Sequence, residues 1–272
     1  MKGKISAILF CAAVASLIVS TYATGEADTL ETQAAAAFGR PATQHLANGP
    51  KGIPPGWEKI EFVHYKKPRG KPADKPGKKP PKPESEYYTF LAKGVKWKNP
   101  SLSEFFVDTT NNAGLNSADA FDAVTVAADT WAAAPGGAGL LPSYASGEGL
   151  SADWDVPDGS NEVVFGDVPY ANAIAVTIVW GIFGGPPGRR EILEFDMMFD
   201  DVDFDWAIDG SNDAMDLQNI ATHEFGHAVG LGDLYETACT EVTMYGYSEN
   251  GETEKRTLED PDKAGLWELY GK

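Results

Sequence analysis

Two histidines and a glutamate within one short segment carry the clearest chemistry in this sequence. His223 and His227 are four residues apart, and Glu224 follows the first of them. Residues at positions i and i+4 lie on one face of an α-helix, so both imidazoles can point toward one metal ion. Zinc is the metal that this spacing usually indicates, and Glu224 would serve as general base toward a metal-activated water.

A third metal ligand is expected shortly after the second histidine. Gly230 can end the helix in a conformation that other residues resist, so the chain can turn back and offer Asp233. The other two histidines, His45 and His64, precede the segment that we interpret as the catalytic domain. A third histidine from within that domain is therefore excluded, and we predict that a carboxylate, Asp233, completes the set. The alternative for Asp233 is an ordinary helix-end or turn aspartate.

The extended string His-Glu-x-x-His-x-x-Gly-x-x-Asp, residues 223–233, resembles the metzincin metallopeptidases. Most of that clan carry histidine at the last position, whereas the snapalysin-like members carry aspartate. The runs 175–180 and 192–196 resemble bacterial and archaeal matrixin-like proteins. The resemblance spans about 86–272 and implies a matrixin-like zinc endopeptidase, with one zinc ion on the two histidines and Asp233 and with Glu224 as the base.

The resemblance also implies roles for residues around the metal. Met244 matches the methionine that metzincins place in a turn beneath the ligands, where it supports the site without binding metal. Tyr245 or Tyr247 would either donate a hydrogen bond to the developing oxyanion or line the pocket wall. One strand would be a sheet edge that binds the substrate main chain as an added antiparallel strand. The residues of that strand are Ala175, Val176, Thr177 and Ile178.

Periodicity along the chain predicts an α+β fold. Apolar runs predict strands at 87–97, 105–108, 161–168, 173–180 and 191–199. Helical spacing predicts an amphipathic helix over 118–133 with Ser117 as N-cap, and the metal-binding helix is expected over 216–229. With the resemblance, this order implies a metzincin-like zincin fold. Its upper subdomain would hold a twisted mixed sheet and two long helices, and a helix beginning near Pro261 would close a small lower subdomain.

Composition divides the chain into four parts. Residues 1–23 are predicted to be a secretory signal peptide, with a retained membrane anchor as the alternative. Residues 24–65 form an N-terminal extension, either without inhibitory role or as a pro-segment whose Asp28 or Glu31 covers the zinc; its end, 57–65, alternates like a strand. Residues 66–85 form a lysine- and proline-rich linker that we expect to be extended. Residues 86–272 form the predicted catalytic domain.

Charge and cysteine content argue against a nucleic-acid partner and against an intramolecular disulfide. The net charge is −18, and residues 86–272 hold 33 acidic and 9 basic side chains, which argues against nucleic acid as a partner. Only Cys239 remains after the predicted signal cleavage, so no intramolecular disulfide can form. The predicted signal peptide and the resemblance to metzincins together imply a secreted, extracellular monomer that acts on peptide or protein substrates and keeps no stable membrane span after signal cleavage.

A cluster of aspartates between residues 196 and 216 has two interpretations. Carboxylates suit calcium, which takes six to eight oxygen ligands, so a calcium site is one of them. The other is that these side chains cap turns and the start of the following helix, where a negative charge favours the helix dipole. The cluster consists of Asp196, Asp200, Asp201, Asp203, Asp205, Asp209, Asp213 and Asp216.

Two other functions compete with the zinc endopeptidase. A non-enzymatic secreted protein would keep a metal-stabilised fold and bind peptides or cell-surface polymers; Glu224 argues against it, because a structural metal site needs no base. A gluzincin-type peptidase would take its third ligand from a later glutamate, which the pattern of Gly230, Asp233 and Met244 argues against. The candidates for that ligand are Glu249, Glu252 and Glu254.

Overall fold

The computed structural model describes residues 42–44, 52–68 and 87–271, of 42–44 the backbone alone. The predicted signal peptide, the candidates Asp28 and Glu31, and most of the predicted linker lie outside the described residues. No helix within the described ranges is long and apolar enough to cross a membrane. The prediction of an α+β fold is confirmed.

Strands and helices follow one another along the described chain in a mixed order. The strands are β1 (Ala42–Gln44), β2 (Glu58–Lys66), β3 (Thr89–Phe90), β4 (Phe105–Val107), β5 (Tyr144–Ser146), β6 (Glu162–Gly166), β7 (Ala173–Ile182), β8 (Glu191–Asp200), β9 (Trp206–Ala207), β10 (Met215–Asp216), β11 (Leu231–Gly232) and β12 (Tyr247–Ser248). The helices are α1 (Ser117–Ala132), α2 (Leu217–Ala228) and α3 (Asp260–Tyr270).

One mixed sheet organises the molecule. Its order is β1-β2-β7-β8-β6-β4-β5, and β12 also pairs with β2. Strands β8, β6, β4 and β5 are mutually parallel, whereas β7 runs antiparallel to β8, and β2 runs antiparallel to β7. Strand β12 pairs with the end of β2 in parallel. The sheet therefore continues past β7 into a segment that the sequence analysis assigned to an N-terminal extension.

The two faces of the sheet pack into two separate apolar clusters, because successive side chains of a strand point to opposite faces. Ile60 and Phe62 of β2 join the larger cluster, which includes buried residues of α1 and α2. Val63 of β2 packs with Val176 and Trp180 of β7 in the smaller cluster on the other face. Strand β2 is therefore an inner member of the sheet, covered on both faces.

Two sequence predictions differ from the structure in detail, and a third agrees with it. The predicted strand over 87–97 is limited to β3, which pairs only with β11 in the described chain. The N-cap of α1 is Asn116 rather than Ser117, since the Asn116 side chain accepts a hydrogen bond from the Ala118 amide at 2.9 Å. Asparagine and serine are similarly good caps, so their adjacent positions cannot be ranked from sequence. The alternating segment 57–65 does form a strand, as predicted.

Candidate metal centre

Helix α2 is held in place by side chains from distant parts of the chain. At its start, Asp216 accepts amide hydrogen bonds and pairs with Arg256, with nitrogen–oxygen distances of 2.8 and 2.5 Å. Trp131 of α1 donates its indole N–H to the carbonyl of Thr222 at 2.7 Å. These contacts fix the helix against α1, so the side chains on its inner face have defined positions.

Both histidines of α2 are oriented by main-chain carbonyl groups. His223 Nδ1 lies 2.7 Å from the carbonyl oxygen of Thr243, and His227 Nδ1 lies 3.0 Å from that of Leu231. A carbonyl oxygen only accepts, so each Nδ1 carries the proton and each Nε2 presents its lone pair. The two Nε2 atoms are 3.1 Å apart and therefore face one common point.

Asp233 brings its carboxylate to the same point. Gly230 has a φ of +104°, a left-handed conformation that favours glycine, and it turns the chain back toward the helix. Asp233 Oδ1 then lies 3.1 Å from His223 Nε2 and 3.5 Å from His227 Nε2. The structure thus brings the three predicted ligands together, with their ligand atoms within 4.8 Å of one another.

A divalent cation fits this group of atoms. Two imidazole lone pairs at 3.1 Å repel each other, and the buried Asp233 Oδ1 accepts no hydrogen bond from any described residue. Tetrahedral zinc with bonds to nitrogen of about 2.0–2.1 Å would hold two nitrogens roughly 3.3 Å apart. The spacing and the nitrogen and oxygen donors therefore suit zinc, which would also remove the repulsion between the lone pairs.

Glu224 is enclosed beside these three residues. Thr177 Oγ1 of β7 donates a hydrogen bond of 2.6 Å to Glu224 Oε2, and His64 Nδ1 lies 3.2 Å from Oε1. The side chain has no exposed surface. Burial raises the pKa of Glu224 to about 7. A carboxylate with a pKa near neutrality is well matched to accept and return a proton at that pH.

His64 is the residue that the sequence analysis placed outside this region. It lies on β2, is 1% exposed, and packs its ring edge-on against His223 with centroids 4.0 Å apart. Its Nε2 lies 3.0 Å from Ser248 Oγ of β12. The structure thus brings a third histidine, from the segment interpreted as an N-terminal extension, next to the candidate ligands. The one available signal was its alternation with Ile60 and Phe62, which places a histidine on the apolar face of a strand.

The predicted substrate-binding strand is not a free edge of the sheet. Strand β7 has β8 on one side and β2 on the other. Its residues Ala175, Val176, Thr177 and Ile178 are paired with His64, Val63, Phe62 and Glu61, in that order. The expectation of a free edge is corrected for a physical reason: β2 is distant in sequence, and local periodicity does not say which strand a segment will join.

Met244, the predicted methionine-turn residue, packs against α2 at Gly226. A Cβ atom placed on Gly226, between the two histidines, would lie 2.1 Å from Met244 Sδ. The turn is held by Asp262 of α3, whose buried carboxylate accepts hydrogen bonds from the amides of Thr243 at 3.1 Å and Met244 at 3.3 Å. Sequence reasoning missed Asp262, because an acidic residue in the first turn of a helix usually serves only the helix.

Three tyrosines form a wall next to the candidate ligands. Tyr235, which the sequence analysis did not single out, donates its hydroxyl to Asp233 Oδ2 at 3.1 Å. Tyr247 packs against Tyr235 with ring centroids 5.3 Å apart, and Tyr245 packs against Tyr247 at 5.9 Å. An oxyanion role for Tyr245 or Tyr247 stays a prediction, whereas Tyr235 orients a candidate ligand.

The glutamates of the gluzincin alternative are used elsewhere. Glu252 pairs with Lys255, and Glu249 lies 3.5 Å from Lys67. In the described chain, neither these two nor Glu254 is in any cluster of three potential ligands within 4.8 Å of one another. The geometry thus favours Asp233 over a later glutamate as the third donor.

A second group of acidic side chains lies beside the start of β6 and the middle of β8. Ligand atoms of Asp153, Glu194 and Asp196 are within 4.8 Å of one another, as are those of Asp153, Asp158 and Glu162. Glu194 and Asp196 are fully buried, and Glu194 Oε1 and Glu162 Oε2 have no hydrogen-bond partner among the described residues. Burial raises the pKa of Glu162 to about 7, of Glu194 to about 8 and of Asp196 to about 9.

Other members of the predicted aspartate cluster cap local structure. Asp200 accepts hydrogen bonds from the amides of Val202 and Asp203, at 3.0 and 2.7 Å. Asp209 accepts one from the Ser211 amide, and Asp216 caps α2. Capping therefore accounts for these three aspartates, whereas Asp196 belongs to the acidic group beside the middle of β8.

The last third of the chain is similar to a known protein family. Residues 186–271, which include α2 and all three candidate ligands, match the family described as "Matrixin". This segment is similar to matrixins. The matrixin-like segment contains the end of the β7–β8 connection, β8, α2, the turn with Met244, and α3. The mixed sheet with its helices is consistent with a metzincin-type fold.

Two curated relatives agree with that similarity. Matrix metalloproteinase-2 of Drosophila melanogaster is 34% identical over 74 residues, which are 26% of this chain and 9% of the relative. Matrix metalloproteinase-25 of Homo sapiens is 39% identical over 89 residues, which are 32% of this chain and 15% of the relative. The chain thus spans less than a sixth of the length of either relative.

Proposed function

We propose that this protein is a secreted zinc-dependent endopeptidase of the metzincin type, with Asp233 as a snapalysin-like third ligand in a bacterial- or archaeal-type matrixin fold. The observation that carries the proposal is the convergence of His223 Nε2, His227 Nε2 and Asp233 Oδ1 on one point beside Glu224. The similarity of residues 186–271 to matrixins supports the same reaction class.

Each residue near the candidate metal centre has a separate role in the proposed hydrolysis. When bound, zinc would supply a Lewis acid that acidifies a water molecule and polarises the scissile carbonyl. Glu224 accepts a proton from the attacking water and later passes it to the nitrogen of the leaving amine, so that one water is consumed per peptide bond. Thr177 orients the Glu224 carboxylate through its 2.6 Å hydrogen bond. Tyr245 or Tyr247 would donate to the oxyanion or form the pocket wall.

The test compares Glu224→Gln with wild type for hydrolysis of an unfolded protein substrate. We expect a loss of about 10²–10⁴-fold in rate, because glutamine cannot accept the proton, while zinc content stays unchanged. Glu148→Gln, at an exposed glutamate, is the matched control and should retain full activity. The assay is run on the full chain before and after limited proteolysis. Equal activity of Glu224→Gln and wild type would refute the proposed base.

The second candidate is a non-enzymatic, metal-stabilised binding protein. One observation favours it: Glu224, His223 and His227 are almost completely buried, so no substrate reaches them in this conformation. A zinc-loaded chain that hydrolyses nothing before or after proteolysis would support this candidate. Zinc-dependent hydrolysis that is lost in Glu224→Gln would exclude it.

We further propose that the acidic group around Glu194 and Asp196 binds a calcium ion that supports the fold. Calcium takes several oxygen ligands at about 2.3–2.6 Å, which suits carboxylate oxygens gathered within 4.8 Å. The two buried oxygens of Glu194 and Glu162 that lack partners support this assignment. Buried carboxylates normally find a proton, a hydrogen-bond donor or a cation, because burying an unpaired charge is costly.

A further inference from the structure

Strand β5 forms an open edge of the main sheet, at the opposite end from β1. It pairs in parallel with β4, and no strand of the described chain lies on its other side. In this pairing Ser146 lies opposite Val107, and the amide of Gly147 donates a hydrogen bond to the Val107 carbonyl. This register turns the main-chain groups of Tyr144 and Ser146 away from β4. Both residues are exposed, so these groups can pair with an added strand.

A groove lies between this edge and helix α1. A cavity of about 910 Å³ opens between the end of β5 and the first turns of α1, and its lining includes Ser146, Phe121 and Asp122. At the start of β5, Tyr144 packs against Phe121 with ring centroids 6.0 Å apart. The Tyr144 hydroxyl donates a hydrogen bond of 3.3 Å to Asp129 Oδ2. The groove therefore combines free main-chain groups, two aromatic rings and two carboxylates of α1.

The charge of this region is of one sign. Residues 99–188 contain 11 acidic side chains and no lysine, arginine or histidine. That segment supplies β4, α1, β5, β6 and β7. Asp122 and Asp129 are both exposed, and they are about 10 Å apart along the axis of α1. Alternate residues of an extended peptide share one face at a spacing of about 6.7 Å, so long basic side chains at such positions can reach both carboxylates.

Other occupants of the groove are less well matched to it. A second copy of this chain would bring the same acidic groove, and like charges on adjacent strands repel each other. The basic segment 66–85 of this chain starts at the end of β2, which is five strand positions or about 24 Å from β5. A basic segment of a separate polypeptide meets neither restriction.

We propose that the groove between β5 and α1 is a docking surface for an extended, lysine- or arginine-rich segment of the protein substrate, which adds to the edge of β5 as a strand. The inference rests on the proposed zinc-peptidase function and names a class of substrate for it. Glu224 is hydrogen-bonded to Thr177 of β7, which is four strand positions or about 19 Å from β5. The docked segment and the cleaved bond are therefore separated by at least about six extended residues.

The first experiment measures peptide binding by fluorescence anisotropy. The full chain carries Glu224→Gln, so that no peptide is cleaved. A labelled peptide that repeats Lys-Thr four times should bind, and one that repeats Glu-Thr should not. A peptide that repeats Lys-Pro keeps the charge but lacks every second main-chain N–H. It should bind about tenfold more weakly than the Lys-Thr peptide, because proline cannot donate to the edge of β5.

Variants of the protein locate the binding. Asp122→Asn/Asp129→Asn should weaken binding of the Lys-Thr peptide about three- to tenfold, the effect of two exposed ion pairs. Asp260→Asn/Glu268→Gln removes two exposed carboxylates of α3 and is the matched control, which should bind normally. Ser146→Pro covers the case in which the first double variant fails to fold. It removes an outward N–H of an edge strand, where proline is tolerated, and should also weaken binding about threefold or more.

The second experiment measures hydrolysis of an unfolded protein substrate that carries a Lys-Thr or a Glu-Thr tail. The Lys-Thr tail should lower KM about threefold or more and leave kcat unchanged, because docking raises the effective concentration of the cleaved segment at the metal centre. This advantage should disappear in Asp122→Asn/Asp129→Asn and persist in the α3 control.

The outcomes separate the two proposals. Binding of the Lys-Thr peptide by a chain that hydrolyses nothing contradicts the endopeptidase and supports the groove as a peptide-docking surface. Hydrolysis without such binding, or an equal loss of binding in the α3 control, overturns the docking surface and leaves the endopeptidase standing. Equal affinity for the Lys-Thr and Lys-Pro peptides would indicate general charge attraction and overturn strand addition.

Two further results would assign the groove to another occupant and overturn its assignment to a substrate. One is a concentration-dependent dimer in sedimentation that the Lys-Thr peptide dissociates, which would indicate a second copy. The other is binding that appears only after the chain is cut within residues 69–86, which would indicate the basic segment of the chain itself.

Discussion

At the scale of single residues, the orientation of the candidate ligands depends on their hydrogen-bond partners. The two histidines donate hydrogen bonds from Nδ1 to main-chain carbonyls, whereas Asp233 accepts a hydrogen bond from the hydroxyl of Tyr235. Such partners fix the ring or carboxylate before a metal arrives, so less conformational freedom is lost upon binding. Tyr235 is therefore the side chain whose removal should weaken metal binding without removing a ligand.

We expect Tyr235→Phe to lower zinc affinity by about 10–100-fold, the range found for partners of metal ligands. The lost hydroxyl leaves Asp233 Oδ2 without its 3.1 Å hydrogen bond and frees the carboxylate to rotate. Zinc affinity is measured by competition with a chromophoric chelator. Tyr144→Phe is the matched control, since Tyr144 also points its hydroxyl at a carboxylate, Asp129 at 3.3 Å, but at the surface. Unchanged zinc affinity in Tyr235→Phe would contradict this role.

At the scale of elements, the helix that carries two candidate ligands is closely packed against the turn that contains Met244. Gly226 has no side chain, and this lets the helix approach Met244 and Trp131 more closely than any larger residue would allow. Asp262 of α3 holds the turn from the other side through two amide hydrogen bonds. The position of the helix is thus set jointly by α1, the turn and α3.

Gly226→Ala should destabilise the protein although alanine favours helices. The new Cβ would lie 2.1 Å from Met244 Sδ and 2.9 Å from Trp131 Cζ2, so the methionine or the helix must move. Overpacking of this kind costs about 1–3 kcal/mol, against a helix-propensity gain of about 1 kcal/mol. Urea unfolding gives the change in stability. Gly188→Ala, where a Cβ would meet no atom within 4 Å, serves as the control. Equal midpoints for Gly226→Ala and wild type would exclude the predicted clash.

At the scale of the whole molecule, the sheet joins a distant N-terminal segment to the matrixin-like part of the chain. Strand β2 covers the candidate metal centre on one face of the sheet, and the acidic group beside the start of β6 and the middle of β8 lies in another part of the same sheet. The stability of the sheet and the access to the candidate metal centre therefore depend also on residues outside 186–271.

Calcium should stabilise the protein, and more so as the pH rises. The folded-state pKa values of Glu162, Glu194 and Asp196 are raised to about 7, 8 and 9, whereas the unfolded groups titrate near pH 4. Without a cation the folded chain holds more protons than the unfolded chain between these values. Its free energy of unfolding therefore falls as the pH rises from about 4.5 to 9.

A bound calcium ion replaces the protons on these carboxylates and so opposes the fall in the free energy of unfolding at high pH. Thermal unfolding between pH 5 and 9, with calcium or with a chelator, should show the largest calcium-dependent rise in Tm at the alkaline end. Glu194→Gln should reduce that rise, and Glu148→Gln, at an exposed glutamate, should leave it unchanged. A Tm that does not respond to calcium at pH 8 would contradict the calcium site.

The sequence by itself determined the elements whose causes are local. Helical spacing gave α2 with His223 and His227 on one face, and Gly230 with the following residues predicted the turn that returns Asp233. Alternation predicted β2 as a strand, and an apolar run predicted β7. Only the tertiary structure decided that β2 lies beside β7, so that His64 reaches Glu224 and the expected free edge is covered. Strand pairing depends on contacts between residues far apart in the chain, and periodicity within either segment does not contain that information.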